Sequence, residues 1–202
     1  MAGLFLGIQS RRLQLQHFNR LGGINSRRNA LCCRGESGLP IHRRSKQTSH
    51  DSVGKYDFLL ASHCLEHMAN PLCAFQEWLR VLKKKGVIFL VLPDKGETFD
   101  HRRPVTSFSH LVRDLEMQTP EDDLTHLEEI LTPHDLALDP PAGNLAAFEK
   151  RSRPNFHNRC LHHHVFDLSL MRELFDYFEL ETVLSTTAKP FHLIGIGRKR
   201  RE

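Results

Sequence analysis

The chain has 202 residues, enough for one domain with a real core. Its net charge of +4, from 28 Lys and Arg against 24 Asp and Glu, is too mild for a protein whose whole surface binds nucleic acid. Much of that excess sits at the two ends: Arg11, Arg12, Arg20, Arg27, Arg28, Arg34, Arg43, Arg44 and Lys46 face only Glu36 within residues 1–50, and Arg198-Lys199-Arg200-Arg201 adds to it at the other end. The cysteines Cys32, Cys33, Cys64, Cys73 and Cys160 are odd in number and lack Cys-x-x-Cys spacing, which fits a reducing compartment rather than a disulfide framework. The longest wholly apolar run, Val87–Leu92, is far too short to span a membrane.

Residues 1–50 are rich in Arg, Ser, Gly and Asn and show little periodicity, so they are expected to be a disordered or atypical segment. Met1–Arg12 has no basic stretch ahead of its short apolar core and does not read as a secretory signal. The expected location is intracellular and cytoplasmic, with a mitochondrial transit peptide as the alternative that an Arg-rich, acid-poor start allows. A domain is expected over 51–200. Gly54-Lys55-Tyr56-Asp57 is a turn into a buried strand, Phe58–Ser62. Asn70-Pro71 opens a helix to about Lys84, with Leu72, Phe75, Leu79 and Leu82 on its inner stripe and Trp78 beside them. Lys83-Lys84-Lys85-Gly86 is expected to close it, Gly86 supplying a left-handed cap. Val87–Leu92 reads as a strand covered on both faces, ended by Pro93.

Further helices are predicted near Thr106–Met117 and from Thr119-Pro120-Glu121 to about Leu131, the run Glu121-Asp122-Asp123 suiting a helix start. Pro133, Pro140, Pro141 and Pro154 make 133–158 mostly loop, with a short helix at Leu145–Lys150. Asp167 or Ser169 caps a helix to about Tyr177, with Leu170, Leu174 and Phe178 turned inward. Glu181–Thr186 and Phe191–Gly197 are the last strands, antiparallel because Lys189-Pro190 joins them so briefly. The fold class is α/β.

The order strand, Leu65-Glu66-His67, helix, Trp78-Leu79-Arg80-Val81-Leu82-Lys83-Lys84-Lys85-Gly86, strand resembles the carboxyl half of class I S-adenosylmethionine-dependent methyltransferases. Pro93-Asp94-Lys95 with Thr98-Phe99-Asp100, Arg103, Thr106, His110 and Asp114 resembles a bacterial-type subgroup, and Asp167–Lys199 resembles the family's closing helix and strand pair. The resemblance covers roughly residues 50–200. It implies a Rossmann-like methyltransferase sheet, incomplete here, made of the fourth to seventh strands with an antiparallel last pair. It also implies S-adenosylmethionine as cofactor and methyl transfer to an acceptor, a small molecule in preference to nucleic acid. The family's acidic-Gly-x-Gly loop has no counterpart in residues 1–50, which hold Gly22-Gly23 and Gly35. The alternative is therefore a non-catalytic protein of this fold, with a partner protein covering the open edge of the sheet.

Within that resemblance Ser62, His63 and Glu66 would border the cofactor, whose sulfonium is cationic and suits nearby oxygens. His63 or His67 would serve as base, since imidazole titrates near neutral pH. The plainer reading is that Glu66 and His67 orient the turn before Pro71. His63-x-x-Glu66-His67 also matches the H-x-x-E-H pattern of inverted zinc peptidases, which needs a continuous helix that the preceding strand and Pro71 oppose. Asp94, Lys95, Asp100, Arg103 and His110 follow the second apolar run and would line the acceptor pocket, Arg103 gripping a carboxylate or phosphate. The alternative there is a solvated loop held by local ion pairs. His162-His163-His164 near Cys160 are not expected to hold a metal: neighbours on a strand alternate faces, so one would line the cleft and the others be exposed. Arg198–Arg201 is a solvated tail, with nuclear import or RNA contact as the alternative.

Overall fold

The computed structural model describes residues 30–34 and 53–200. Five strands form one sheet: β1 (Ala30–Arg34), β2 (Tyr56–Ser62), β3 (Leu82–Pro93), β4 (Glu181–Ala188) and β5 (His192–Arg198), in the order β1-β2-β3-β5-β4. The first three run parallel, and β5 lies antiparallel between β3 and β4. The helices are α1 (Pro71–Val81), α2 (Phe108–Glu116), α3 (Leu127–Leu131), α4 (Leu145–Ser152), α5 (Asn155–Asn158) and α6 (Leu168–Tyr177).

The core joins β2 and β3 to α1 and α6. Leu59, Leu72, Phe75, Ile88, Leu90, Leu174 and Phe175 are all fully buried, and Phe75 stacks 6.2 Å from Phe175 across the two helices. Each such side chain contributes about 1.5–3 kcal/mol by leaving water. Gly195 lets α6 approach β5, because a Cβ there would come within 2.7 Å of Met171 Sδ and 2.9 Å of Phe175 Cζ. Side chains that take up the free amide groups of the first turn fix the helix starts. Asn70 Oδ1 accepts from Cys73 N at 3.0 Å, and Asp167 Oδ1 from Leu170 N at 2.8 Å.

The structure departs from the sequence expectations in four places. α1 stops at Val81, and Leu82 onward is already β3. Tyr56 pairs with Leu82 but Phe58 with Val87, so Lys83–Gly86 forms a bulge inside the strand. Lys85, not Gly86, takes the left-handed conformation, at φ 61. Gly86 is needed for room instead, since a Cβ would sit 2.8 Å from Lys83 O. Secondly, the acidic helix shrinks to α3. Asp123 Oδ2 accepts from Thr125 N and Oγ1, a local bond that competes with helix, and Glu121 is drawn into a buried pair with Arg159. Thirdly, 133–158 carries α5 besides the expected helix, α4, and α3 and α4 contribute Ile130 and Phe148 to a small second core with Ala142 and Leu161. Lastly, β1 pairs along β2, from Ala30 with Phe58 to Arg34 with Ser62, so this chain itself occupies the edge expected to lie open. The remainder of 1–50 lies outside the described residues. No helix among the described residues is long and apolar enough to cross a membrane.

Candidate functional site

The carboxyl end of β2 is where the chain changes character. The His63 amide still bonds Val91 O at 2.9 Å, then its backbone turns left-handed at φ 47. That conformation is uncommon outside glycine and breaks the strand sharply. A single 3-10 turn, Leu65–His67, follows, and Asn70 then caps α1. This turn drives Glu66 inward, where its side chain is 0% exposed and its oxygens accept no hydrogen bond among the described residues. His63 Nδ1 approaches Glu66 Oε1 at 3.5 Å and His67 Nε2 approaches it at 3.8 Å. Both separations are long for hydrogen bonds.

A strap without regular structure, Leu161–Phe166, closes over the turn. Its Leu161 O is 2.8 Å from His67 Nδ1, and its His164 amide bonds Glu66 O at 3.3 Å. His162 Nδ1 lies 2.5 Å from Asp100 Oδ2, and its ring stacks edge-on against His67 at 4.7 Å. Arg103 locks the strap in place, donating to Asp100 Oδ1 at 3.0 Å, His162 O at 2.8 Å and His163 O at 3.1 Å.

The charges follow from burial and neighbours. Burial alone would raise the Glu66 carboxyl, but His63, His67 and His162 around it turn the net shift downward. Burial opposes a charge on His162, yet its bond to Asp100 wins and raises its pKa. Asp100 moves down for the converse reason: burial raises it, and His162 and Arg103 outweigh that. Burial pushes His67 and His163 down to about 4, and His164 falls well below its ordinary value for the same cause.

Of the residues singled out in the sequence, His63, Glu66, His67, Asp100 and Arg103 converge through His162. Ser62 is the last residue of β2, aligned with Arg34 on one side and Val91 on the other. Arg103 is only 1% exposed and both its terminal nitrogens are taken up by Asp100 and the strap carbonyls, so it braces the strap and is not placed to grip an acceptor. Asp94 Oδ1 accepts from Gly96 N at 3.1 Å and holds the turn that carries the half-buried Lys95. His110 lies in another group, 3.4 Å from Asp114, with the His126 ring at 4.7 Å and the His164 ring at 5.7 Å. The expectation that two of His162, His163 and His164 are exposed fails, since all three are buried. The strap is not a strand with alternating faces, and each ring has its own partner: Asp100, Asn155 Nδ2 at 2.9 Å and Ala69 O at 3.3 Å. The peptidase pattern fails as well, because no helix runs through 63–67 and His63 turns to His192 Nδ1 at 2.9 Å.

Sequence reasoning missed His192, which opens β5 opposite Pro93 and so reaches the same strand end. It also missed that Gly35 comes directly after a strand, β1, with Gly38 three residues further on in the sequence. The signal was present in the glycine spacing, but Ala30–Arg34 is too short and mixed to read as a strand. A cavity of about 470 Å³ between α3 and α4, lined by Leu124, Leu127, Leu131, Leu145 and Arg153, lies away from these strand ends.

A family model described as a methyltransferase domain matches residues 19–139 of this chain. Among solved structures, the CurJ carbon methyltransferase is similar at 9% identity and TM-score 0.38, over 74% of this chain and 31% of that one. The YcgJ protein from Bacillus subtilis is similar at 12% identity and TM-score 0.36, over 74% of this chain and 66% of that one. A protein from Bacillus halodurans C-125 titled a methyltransferase is similar at 12% identity and TM-score 0.35, over 93% and 99%. The chain thus spans less than two thirds of the first two. No protein of curated function matches it.

Proposed function

We propose, because this chain belongs to the methyltransferase domain family, that it binds S-adenosylmethionine at the carboxyl ends of β1 and β2 and methylates a small-molecule acceptor. One observation carries this reading: the family match begins at residue 19 and so takes in β1, which lies parallel beside β2. Ligands of parallel sheets rest at such strand ends. Gly35 and Gly38 follow β1 in the sequence, and glycine is the residue that lets backbone approach a ligand closely.

The residues present fit a cationic group in a further respect. The Glu66 carboxylate, held ionised beneath the strand end, sets a negative potential there. Glu66 is too deeply buried to touch the cofactor, so Ser62 and His63 are the residues assigned to line it. When bound, S-adenosylmethionine supplies an electrophilic methyl group on sulfur. His63, 30% exposed and oriented between Glu66 and His192, is assigned to take the acceptor's proton. The site otherwise contributes proximity and alignment. Asp94 and Lys95 remain the residues assigned to the acceptor side. Asp100, Arg103 and His67 act from behind by fixing the strap and turn.

Calorimetric titration of the full chain with S-adenosylmethionine and with its demethylated product tests this. Binding near micromolar, about −8 kcal/mol, is expected. A folded chain that binds neither overturns it in favour of a non-catalytic protein of the same architecture.

A further inference from the structure

The turn after β2 and the strap at Leu161–Phe166 bring together three groups that the methyl-transfer reading leaves without a shared purpose. One ligating atom from each of Glu66, His67 and His162 lies within 4.8 Å of the other two. Each histidine already uses Nδ1 elsewhere, His67 on Leu161 O and His162 on Asp100 Oδ2. A carbonyl oxygen can only accept, so His67 carries its proton on Nδ1 and presents a bare Nε2 lone pair toward Glu66. The Glu66 carboxylate, fully buried, accepts no hydrogen bond from the described residues. Acceptor atoms of Glu66 and His67 therefore face one another in a largely buried pocket, an arrangement that costs free energy unless a cation or a proton sits among them.

We propose that Glu66, His67 and His162 form a binding site for a divalent transition-metal ion. Two imidazoles and one carboxylate are a donor set suited to zinc or ferrous iron, with further coordination positions left open. Each imidazole has the outer partner that metal-bound histidine requires: a backbone carbonyl behind His67, and behind His162 a carboxylate that Arg103 in turn holds. Zinc bonds of about 2.0–2.1 Å put tetrahedral ligand atoms about 3.3 Å apart. Glu66 Oε1 and His67 Nε2, at 3.8 Å, need to close only slightly. The bound ion would tie the strap to the turn that carries His63. The expectation of no metal at His162-His163-His164 treated the three as one convergent set, whereas only His162 joins this group. Nor is it the peptidase pattern: Glu66 is a ligand here, and His162 takes the place of His63. The site does not depend on cofactor binding, and an ion in it would offset the negative potential that Glu66 otherwise sets at the strand end.

The test is metal content and zinc affinity of the full, untagged chain after chelator treatment, read by elemental analysis and calorimetry. About one zinc per chain is expected. His67→Asn and His162→Asn each keep an amide donor where Nδ1 stood, so Leu161 O and Asp100 stay bonded, yet they remove the ligand nitrogen. Each is expected to weaken zinc binding more than tenfold. Asp100→Asn, which touches only the outer partner, should weaken it about 10–100-fold. A folded chain that takes up neither zinc nor ferrous iron at one per chain overturns the proposal and leaves a proton on His162 as what relieves the cluster. So does zinc that survives both histidine substitutions, or that is lost instead in His110→Asn and so belongs to His110, Asp114 and His164. Should the variants fail to fold, cobalt substitution in the unmodified chain decides: a spectrum of nitrogen and oxygen ligands is expected, and thiolate bands overturn the assignment.

Discussion

The sheet has two interiors that are built on different principles. Around Phe75, Phe175, Ile88 and Leu90 the contacts are apolar and non-directional, and what matters is volume. Beyond the ends of these strands, Glu66, Asp100, Arg103 and His162 are buried as well, and Asp100, Arg103 and His162 are there because a particular atom of another residue faces each of them. The first interior tolerates changes that conserve shape. The second tolerates almost none, since removing one member strands a charge without water.

The sharpest way to break that contrast is Arg103→Leu. It leaves Asp100 buried with one partner fewer and frees two strap carbonyls, and a loss of about 3–5 kcal/mol is expected in urea unfolding. A loss below about 1 kcal/mol, the range of exposed pairs, would mean that water reaches the layer and that the two interiors do not differ in kind. Gly195→Ala probes the apolar side. Its Cβ meets Met171 and Phe175, and overpacking should cost about 1–3 kcal/mol by the same measurement. A neutral result would show that α6 can slide on the sheet.

The smallest effect is one of pH. His134 is held below its ordinary pKa by burial, against the opposing pull of Asp139. Its folded pKa is depressed, so the unfolded chain binds a proton more readily. The neutral imidazole's contribution is complete above the unfolded pKa, about 6.5, and is lost as pH falls from there toward the folded value. Thermal unfolding at a series of pH values should show that slope, and His134→Gln should make it shallower. An unchanged slope would assign it wholly to the other buried histidines.

The contrast also explains which parts of the molecule could be read from its sequence. β2, α1, α2, α6, β4 and β5 stand in hydrophobic periods and cap residues such as Asn70 and Asp167, signals spread over a few neighbouring positions. The polar layer rests on pairs far apart in the chain, Glu66 with His162, Asp100 with His162 and His63 with His192, and no local pattern announces them. The histidine run was misread because alternation applies to a strand, and the strap is not one. β1 was missed because Ala30–Arg34 becomes a strand only by pairing with β2, more than twenty residues on. Lys85 misled because a lysine took the left-handed position that glycine usually fills.

The position of β5 has a consequence for the order in which the molecule can assemble. β3 binds β2 on one side, but its other neighbour is His192–Arg198, so Val87 waits for Arg198. During synthesis the ribosome must deliver α2 through β4 before that edge of β3 is paired. Contacts so distant in sequence form late and slow the search for the native state. Through that interval an apolar strand edge is open to other nascent chains. A chaperone that holds the chain until β5 emerges would change its yield far more than its final stability.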